Sequence, residues 1–275
     1  MHPFRFGVVA TPQSPERWAK TARSAVDLGF STLLMPDGLH QTSPVAALAM
    51  AAALVPTLRV GTWVLAAPLR PPAYVAWEAR SLTDLTGGRF ELGLGSGLPQ
   101  AVEARTEQLG MPPQSPGERL AAIAETIDRL AALEAEGDHA AHTPVLVAAG
   151  GPKARALAAE RADIVTLAVR PTTARDEIAR LSRELRDLAG DRADDLEIAA
   201  NLFMVGDEVA PWARQAIGVD PDTLPADSLV RLRGNTDEMV EELQRRREEN
   251  GSSYVCVSAA FMAALAPVVS RLTGR

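Results

Sequence analysis

Short apolar runs and longer helical stretches alternate along this chain from end to end, eight times over, and nothing else in it constrains the fold so tightly. The β-like runs fall at residues 4–10, 32–36, 58–65, 89–94, 144–148, 163–168, 196–205 and 253–258. The helical ones fall at 15–28, from about 44, from about 73 to 85, at 116–133, 152–161, 173–188 and 236–250, and from about 261 onward. Runs that are apolar on both faces suit buried parallel strands, and parallel neighbours need a long crossover between them. Eight β-then-α units in 275 residues predict one (β/α)8 TIM barrel spanning residues 1–275. A doubly wound open sheet has the same alternation and stands as the second architecture, because alternation does not by itself show closure. Gly29 and Gly251 sit just past helical runs, where left-handed caps are needed, and Ser43 precedes Pro44 as an N-cap before an N1 proline. Residues 206–233 break the rhythm and read as an excursion between the seventh strand and its helix.

Charge and composition narrow the function classes. A net charge of -7 argues against general binding to a nucleic-acid backbone, but leaves room for a small anionic cofactor in a locally positive pocket. Cys256 is the single cysteine, so no disulfide framework or cysteine-based metal site can form. Its setting, SSYVCVS, reads as a small core residue first and a reactive thiol second. His2, His40, His139 and His142 show no zinc-ligand spacing, and the last two precede the fifth strand, at the end of a barrel away from its chemistry; no metal is expected. The apolar stretch 44–55 is too short to span a bilayer, and the opening MHPFRFGVVATP is unlike a signal peptide, which predicts a cytoplasmic protein with no membrane partner.

In a (β/α)8 barrel the chemistry sits where the strands end. Asp37 and His40 follow the second strand in MPDGLHQTS, where they read as an acid–base pair, as anchors for a polar ring edge, or as solvated loop residues. After the fifth strand, Ala149, Gly150 and Gly151 lead into a helix whose first turn carries Pro152 and Lys153. Free N–H groups at a helix start, bare glycine backbone and a cation suit a phosphate, although a tight βα turn with an N1 proline needs no ligand. The fourth strand leaves through GLGSG, with Gly95, Ser96 and Gly97. That spacing is not a dinucleotide fingerprint. It fits either a strand exit crowded against its neighbours or a flat ring lying on exposed backbone.

The segments GFSTLLMPDGLH, LRVGTWVLAAPLRPP, SLTDLTGGRFELGLGSG and VAAGGPKARALAAERADIV, in that order, resemble the bacterial luciferase-like family, and within it the oxidoreductases that use the deazaflavin coenzyme F420. The closing GNTDEMVEELQRRREENGSSYVCVS fits the family's last unit. The resemblance implies a barrel that binds F420, or FMN in the alternative, at its C-terminal mouth, acts on a small-molecule substrate and forms a homodimer. It implies a non-prolyl cis peptide between Trp63 and Val64 behind the ring, ring contacts near Gly95, Ser96 and Gly97, and phosphate at Gly150 and Gly151. A basic rim would favour F420 with its acidic tail, and Arg70, Arg105 and Arg170 are candidates for it. The chain departs from the family pattern at Gly38, where a histidine usually follows the aspartate, at Leu98, where an aromatic is common, and at Pro71. Three functions follow: an F420-dependent hydride-transfer enzyme, an FMN-dependent monooxygenase, or a degenerate barrel that binds a ligand or partner.

Overall fold

The computed structural model describes residues 1–136, 141–206, 220–225 and 227–275. His139 and half of the 206–233 excursion lie outside the described residues. The strands β1 (Arg5–Val9), β2 (Thr32–Met35), β3 (Arg59–Thr62), β4 (Leu65–Ala66), β5 (Phe90–Gly95), β6 (Val145–Ala149), β7 (Ile164–Leu167) and β8 (Glu197–Leu202) form one sheet with the last strand, Ser252–Ser258. Two short strands, β9 (Met204–Val205) and β10 (Arg231–Leu232), pair with each other apart from it, and the last strand is therefore β11. The large sheet runs β3-β2-β1-β11-β8-β7-β6-β5-β4 with every pairing parallel, and β3 also pairs with β5. That last pairing closes the sheet. Since β3 and β4 are two halves of one strand, the result is an eight-stranded barrel, and the open-sheet alternative is excluded.

The helices are α1 (Pro15–Asp27), α2 (Pro44–Leu54), α3 (Pro72–Thr86), α4 (Pro99–Gln108), α5 (Pro116–Glu136), α6 (Pro152–Arg161), α7 (Arg175–Ala189), α8 (Thr236–Asn250) and α9 (Met262–Leu272). Local sequence sets their ends. Ser14 caps α1 through Arg17 N, Asn235 and Glu238 form a capping box on α8, and Gly87 and Gly251 stop α3 and α8 in the left-handed region. The main core lies between the strands and the helices; Trp18 of α1, buried there, donates its indole N–H to Ala47 O at 2.8 Å.

The third strand is broken at Trp63 and Val64, which bulge between β3 and β4, the place where the family resemblance implies a bulge. One feature departs from the sequence expectation. Helix α4 stands where a plain loop is expected, because only Val102 and Thr106 of its ten residues are buried, too thin a stripe to give a clear helical period.

Inside the barrel a second apolar cluster holds Leu34, Leu146, Ile164, Ala199, Tyr254 and Cys256, with Trp63 and Val64 packed on it. Cys256 is fully buried, and burial pushes its thiol's pKa up, which makes it a core residue and not a reactive thiol. Below this cluster, at the strands' N-terminal ends, Arg5 bonds Glu91 at 2.6 Å and Glu197 at 2.6 Å, while Arg59 reaches Glu91 at 2.9 Å. The Arg5 guanidinium also stacks 3.5 Å from the centre of the Tyr254 ring. This floor of paired charges fills one end of the barrel.

Candidate functional site at the barrel mouth

The opposite end carries the site residues. Asp37 follows β2 directly, and its side chain is 4% exposed. Both its oxygens are engaged: Arg70 donates Nη1 to Oδ2 at 2.6 Å and Nη2 to Oδ1 at 2.8 Å, and Ala66 N donates to Oδ2 at 3.0 Å. Burial works against the Arg70 charge, but the hydrogen bonds and charge of Asp37 outweigh it and hold the guanidinium's pKa above its ordinary value. Arg70, a candidate for the cofactor rim, is thus turned inward onto Asp37. Through Ala66 the carboxylate fastens the chain just beyond the bulge. A further clamp escaped the sequence reading: Gln114 donates to Pro68 O at 2.9 Å and ties down the 3-10 turn Ala67–Leu69.

His40 is exposed. Its ring folds back over Gly38, so that a Cβ built on Gly38 would lie 2.8 Å from His40 Cε1. The imidazole therefore takes the space beside residue 38 that a side chain at that position would enter.

The peptide bond between Trp63 and Val64 is cis. Both side chains are half-buried, and Trp63 meets Tyr254 edge to face with ring centres 6.4 Å apart. The glycines of β5 and its exit are explained by what faces them. A Cβ on Gly93 would lie 2.0 Å from the Thr62 carbonyl oxygen, one on Gly95 would meet Val64 at 2.7 Å, and one on Gly97 would meet Val102 at 2.3 Å. Thr62 completes the junction by donating its hydroxyl to Gly93 O and accepting from Gly93 N, both at 2.8 Å. Bare backbone here lets the bulge pack against β5. Ser96 is half-buried beside it, and Leu98 is 77% exposed.

The turn after β6 differs. Ala149 is buried at its start. A Cβ on Gly150 would lie 3.2 Å from Ala168 O, but none of the described atoms lies within 4 Å of the same position on Gly151. Gly151 is the N-cap of α6 and offers no side chain to the helix's first N–H groups; Lys153 in that first turn is exposed. The turn is braced from below by Arg155, buried and missed by the sequence reading, which donates to Gly150 O at 2.6 Å and to Glu184 at 3.0 Å. Its position four residues past Gly151, on the inner face of α6, was the available signal. Open space, uncapped N–H groups and a nearby cation make a place for an anion.

Arg105 is half-buried on α4 and Arg170 is exposed after β7. Among the described residues no group of three or more His, Cys, Asp or Glu side chains could hold a metal ion, and no helix is long and apolar enough to cross a membrane.

Comparison with known proteins finds related sequences and related barrels. The luciferase-like monooxygenase family profile matches residues 1–268. A 4-hydroxyprotoasukamycin monooxygenase from Streptomyces nodosus subsp. asukaensis is 37% identical over 89 residues, which is 32% of this chain and 23% of that protein. A putative coenzyme F420-dependent oxidoreductase from Mycobacterium tuberculosis is 36% identical over 93 residues, 33% of this chain and 26% of its own length. The matched stretch thus spans about a quarter of each curated relative. Among solved structures, the coenzyme F420-dependent tetrahydromethanopterin reductase from Methanopyrus kandleri superposes with a TM-score of 0.75 at 18% identity, covering 98% of both chains.

Proposed function

The chain belongs to the luciferase-like monooxygenase family, and from that membership we propose that it is an oxidoreductase that passes a hydride between F420 and a small organic substrate at the barrel mouth. The observation that carries this reading is the turn at Gly150 and Gly151, open to solvent and uncapped, on the same barrel end as the Trp63–Val64 bulge. F420 is favoured over FMN because a partly matched relative and a full-length structural counterpart are both described as F420-dependent.

When bound, F420 supplies a two-electron hydride carrier, and the protein supplies orientation and electrostatics. Gly150, Gly151 and Lys153 would hold its phosphate, and Trp63, Val64 and Ser96 would line the space for its ring. Gly95 keeps β5 thin enough for Val64 to stand where it does, and Gly97 leaves room for Val102 of α4. Asp37 acts as a positioning residue, since both its oxygens are taken up by the Arg70 fork and the Ala66 N–H. His40, exposed at the same loop, is the side chain placed to move a proton to or from the substrate.

Two copies pair through α2 and α3. Support for this comes from α2, which has no charged residue in PVAALAMAAAL and yet exposes Met50 and Leu54 at 39% each, next to Tyr74 at 50% and Trp77 at 57% on α3. Exposed large apolar side chains grouped on neighbouring helices mark an association surface.

The test is a fluorescence titration of the purified protein with F420 and, separately, with FMN. Saturable F420 binding that weakens in Gly151→Asp supports the reading. Binding of FMN alone transfers it to a flavin monooxygenase. No saturable binding of either leaves a barrel that has lost its cofactor.

A further inference from the structure

A cleft of about 660 Å³ opens beside the mouth, where β1, β2 and β11 end and α1 passes over them. Its walls include Ala10, Pro36 and Ala259, with Thr11 and Ser258 at the strand ends and Arg17 and Lys20 reaching in from α1. Pro36 is the residue before Asp37, so the cleft adjoins the loop that carries Asp37 and His40.

The electrostatics are one-sided. No acidic side chain lines the cleft. Arg17 donates to the neutral amide oxygen of Gln13 at 2.6 Å, and neither it nor Lys20 forms an ion pair among the described residues. In a protein of net charge -7, two uncompensated cations facing a concave surface attract an anion and raise its local concentration. The location is also one that (β/α)8 barrels use: the loops after their last strands frequently hold phosphate.

Position separates this cleft from the Gly151 turn. In the closed order β3-β2-β1-β11-β8-β7-β6-β5, β1 lies four strands from β6 whichever way the ring is followed. A phosphate held at the start of α6 and an anion held between β1 and α1 are therefore on opposite sides of the mouth. With the cofactor's phosphate at the first, the second is left for the other reactant.

We infer that the cleft between α1 and the ends of β1 and β11 binds an oxyanion carried by the organic substrate, a phosphate or carboxylate, through Arg17 and Lys20. Its assignment to the substrate rests on the proposed F420 reaction; the anion site itself does not. The apolar parts of the wall, Val9, Ala10, Pro36 and Ala260, would receive the carbon skeleton.

The experiment uses the full chain in the presence of saturating F420 and compares three probes by ligand-observed NMR: phenyl phosphate, benzoate and the neutral benzyl alcohol. Phenyl phosphate or benzoate should bind at least about tenfold more tightly than benzyl alcohol, as charge-assisted hydrogen bonds require, and whichever of the two anions binds better names the substrate's group. In Arg17→Ala/Lys20→Ala that preference should vanish, while Arg17→Lys retains most of it. Both residues are exposed on α1, so the variants should fold, and circular dichroism checks this. Equal binding of anions and alcohol, or a preference untouched by the double variant, overturns the proposal. Gly151→Asp separates the two readings. Anion binding that survives this substitution, in a protein that binds neither F420 nor FMN, upholds the cleft and sinks the cofactor reading. Anion binding abolished by Gly151→Asp alone, with F420 binding intact in the wild type, does the reverse.

Discussion

Arg70 and Asp37, 33 residues apart in the chain, meet fork to carboxylate, and the same carboxylate holds the Ala66 N–H that follows the bulge. The pair is nearly dry on the aspartate side, at 4% exposure. Removing one member leaves the other's charge stranded. Asp37→Ala should cost about 3 kcal/mol or more of folding stability, and Arg70→Lys should restore little, since an ammonium cannot reproduce the fork. The double variant Asp37→Ala/Arg70→Ala should be more stable than Asp37→Ala alone. Denaturant titrations of wild type, Asp37→Ala, Arg70→Ala and the double variant give the coupling directly.

Two glycines on the barrel's mouth side should respond in opposite ways. Gly93→Ala drives a Cβ to 2.0 Å from the Thr62 carbonyl, backbone against backbone, and is expected to cost at least about 3 kcal/mol or to abolish soluble expression. Gly151→Ala meets nothing within 4 Å and keeps a backbone with φ of -83°, open to any residue. Its denaturation midpoint should match wild type. Equal midpoints for the two variants would contradict the packing described at the bulge.

His142 gives the fold a pH signature at the end away from the mouth. Its hydrogen bond to Asp163 is the largest influence on its pKa; burial opposes it, the bond to Glu134 adds to it, and together they raise the imidazole's pKa from 6.5 to about 9. The bonds measure 3.1 Å to Asp163 and 2.8 Å to Glu134. A raised folded-state pKa means that the folded protein holds the proton more tightly. The contribution is therefore complete below pH 6.5 and is lost as the pH climbs through about 9. Melting temperatures of wild type and His142→Gln should differ at pH 6 and converge by about pH 10.

If two copies pair through α2 and α3, a charge placed in that face should separate them. Trp77→Arg, at a position 57% exposed, should fold normally and sediment as a monomer where the wild type sediments as a dimer. A wild type that is already monomeric at micromolar concentration would remove the homodimer from the proposal.

The strand and helix rhythm was readable because it is local: each strand is an apolar run and most helices carry their own caps. The open turn before α6 was readable for the same reason, since Ala149, Gly150, Gly151 and Lys153 are neighbours in the chain. What escaped was long-range or weakly patterned. Arg70 reads as a free cation until the fold turns it onto Asp37. Arg5, Glu91 and Glu197 stand far apart in the sequence, and Arg5 finds partners 86 and 192 residues away. The glycines of β5 were visible, but whether a ligand or a valine lay against them depended on a bulge contributed by another strand. Helix α4 buries too few residues to announce itself.

The charged floor of the barrel has a kinetic corollary. Arg5, Glu91, Glu197 and Tyr254 are packed across one end, and the apolar cluster fills the interior above them, so the two reactants of the proposed reaction share the mouth side. If that reaction takes place there, whichever molecule lies deeper arrives first and departs last. Its turnover is then sequential, and a tightly held outer guest traps the inner one.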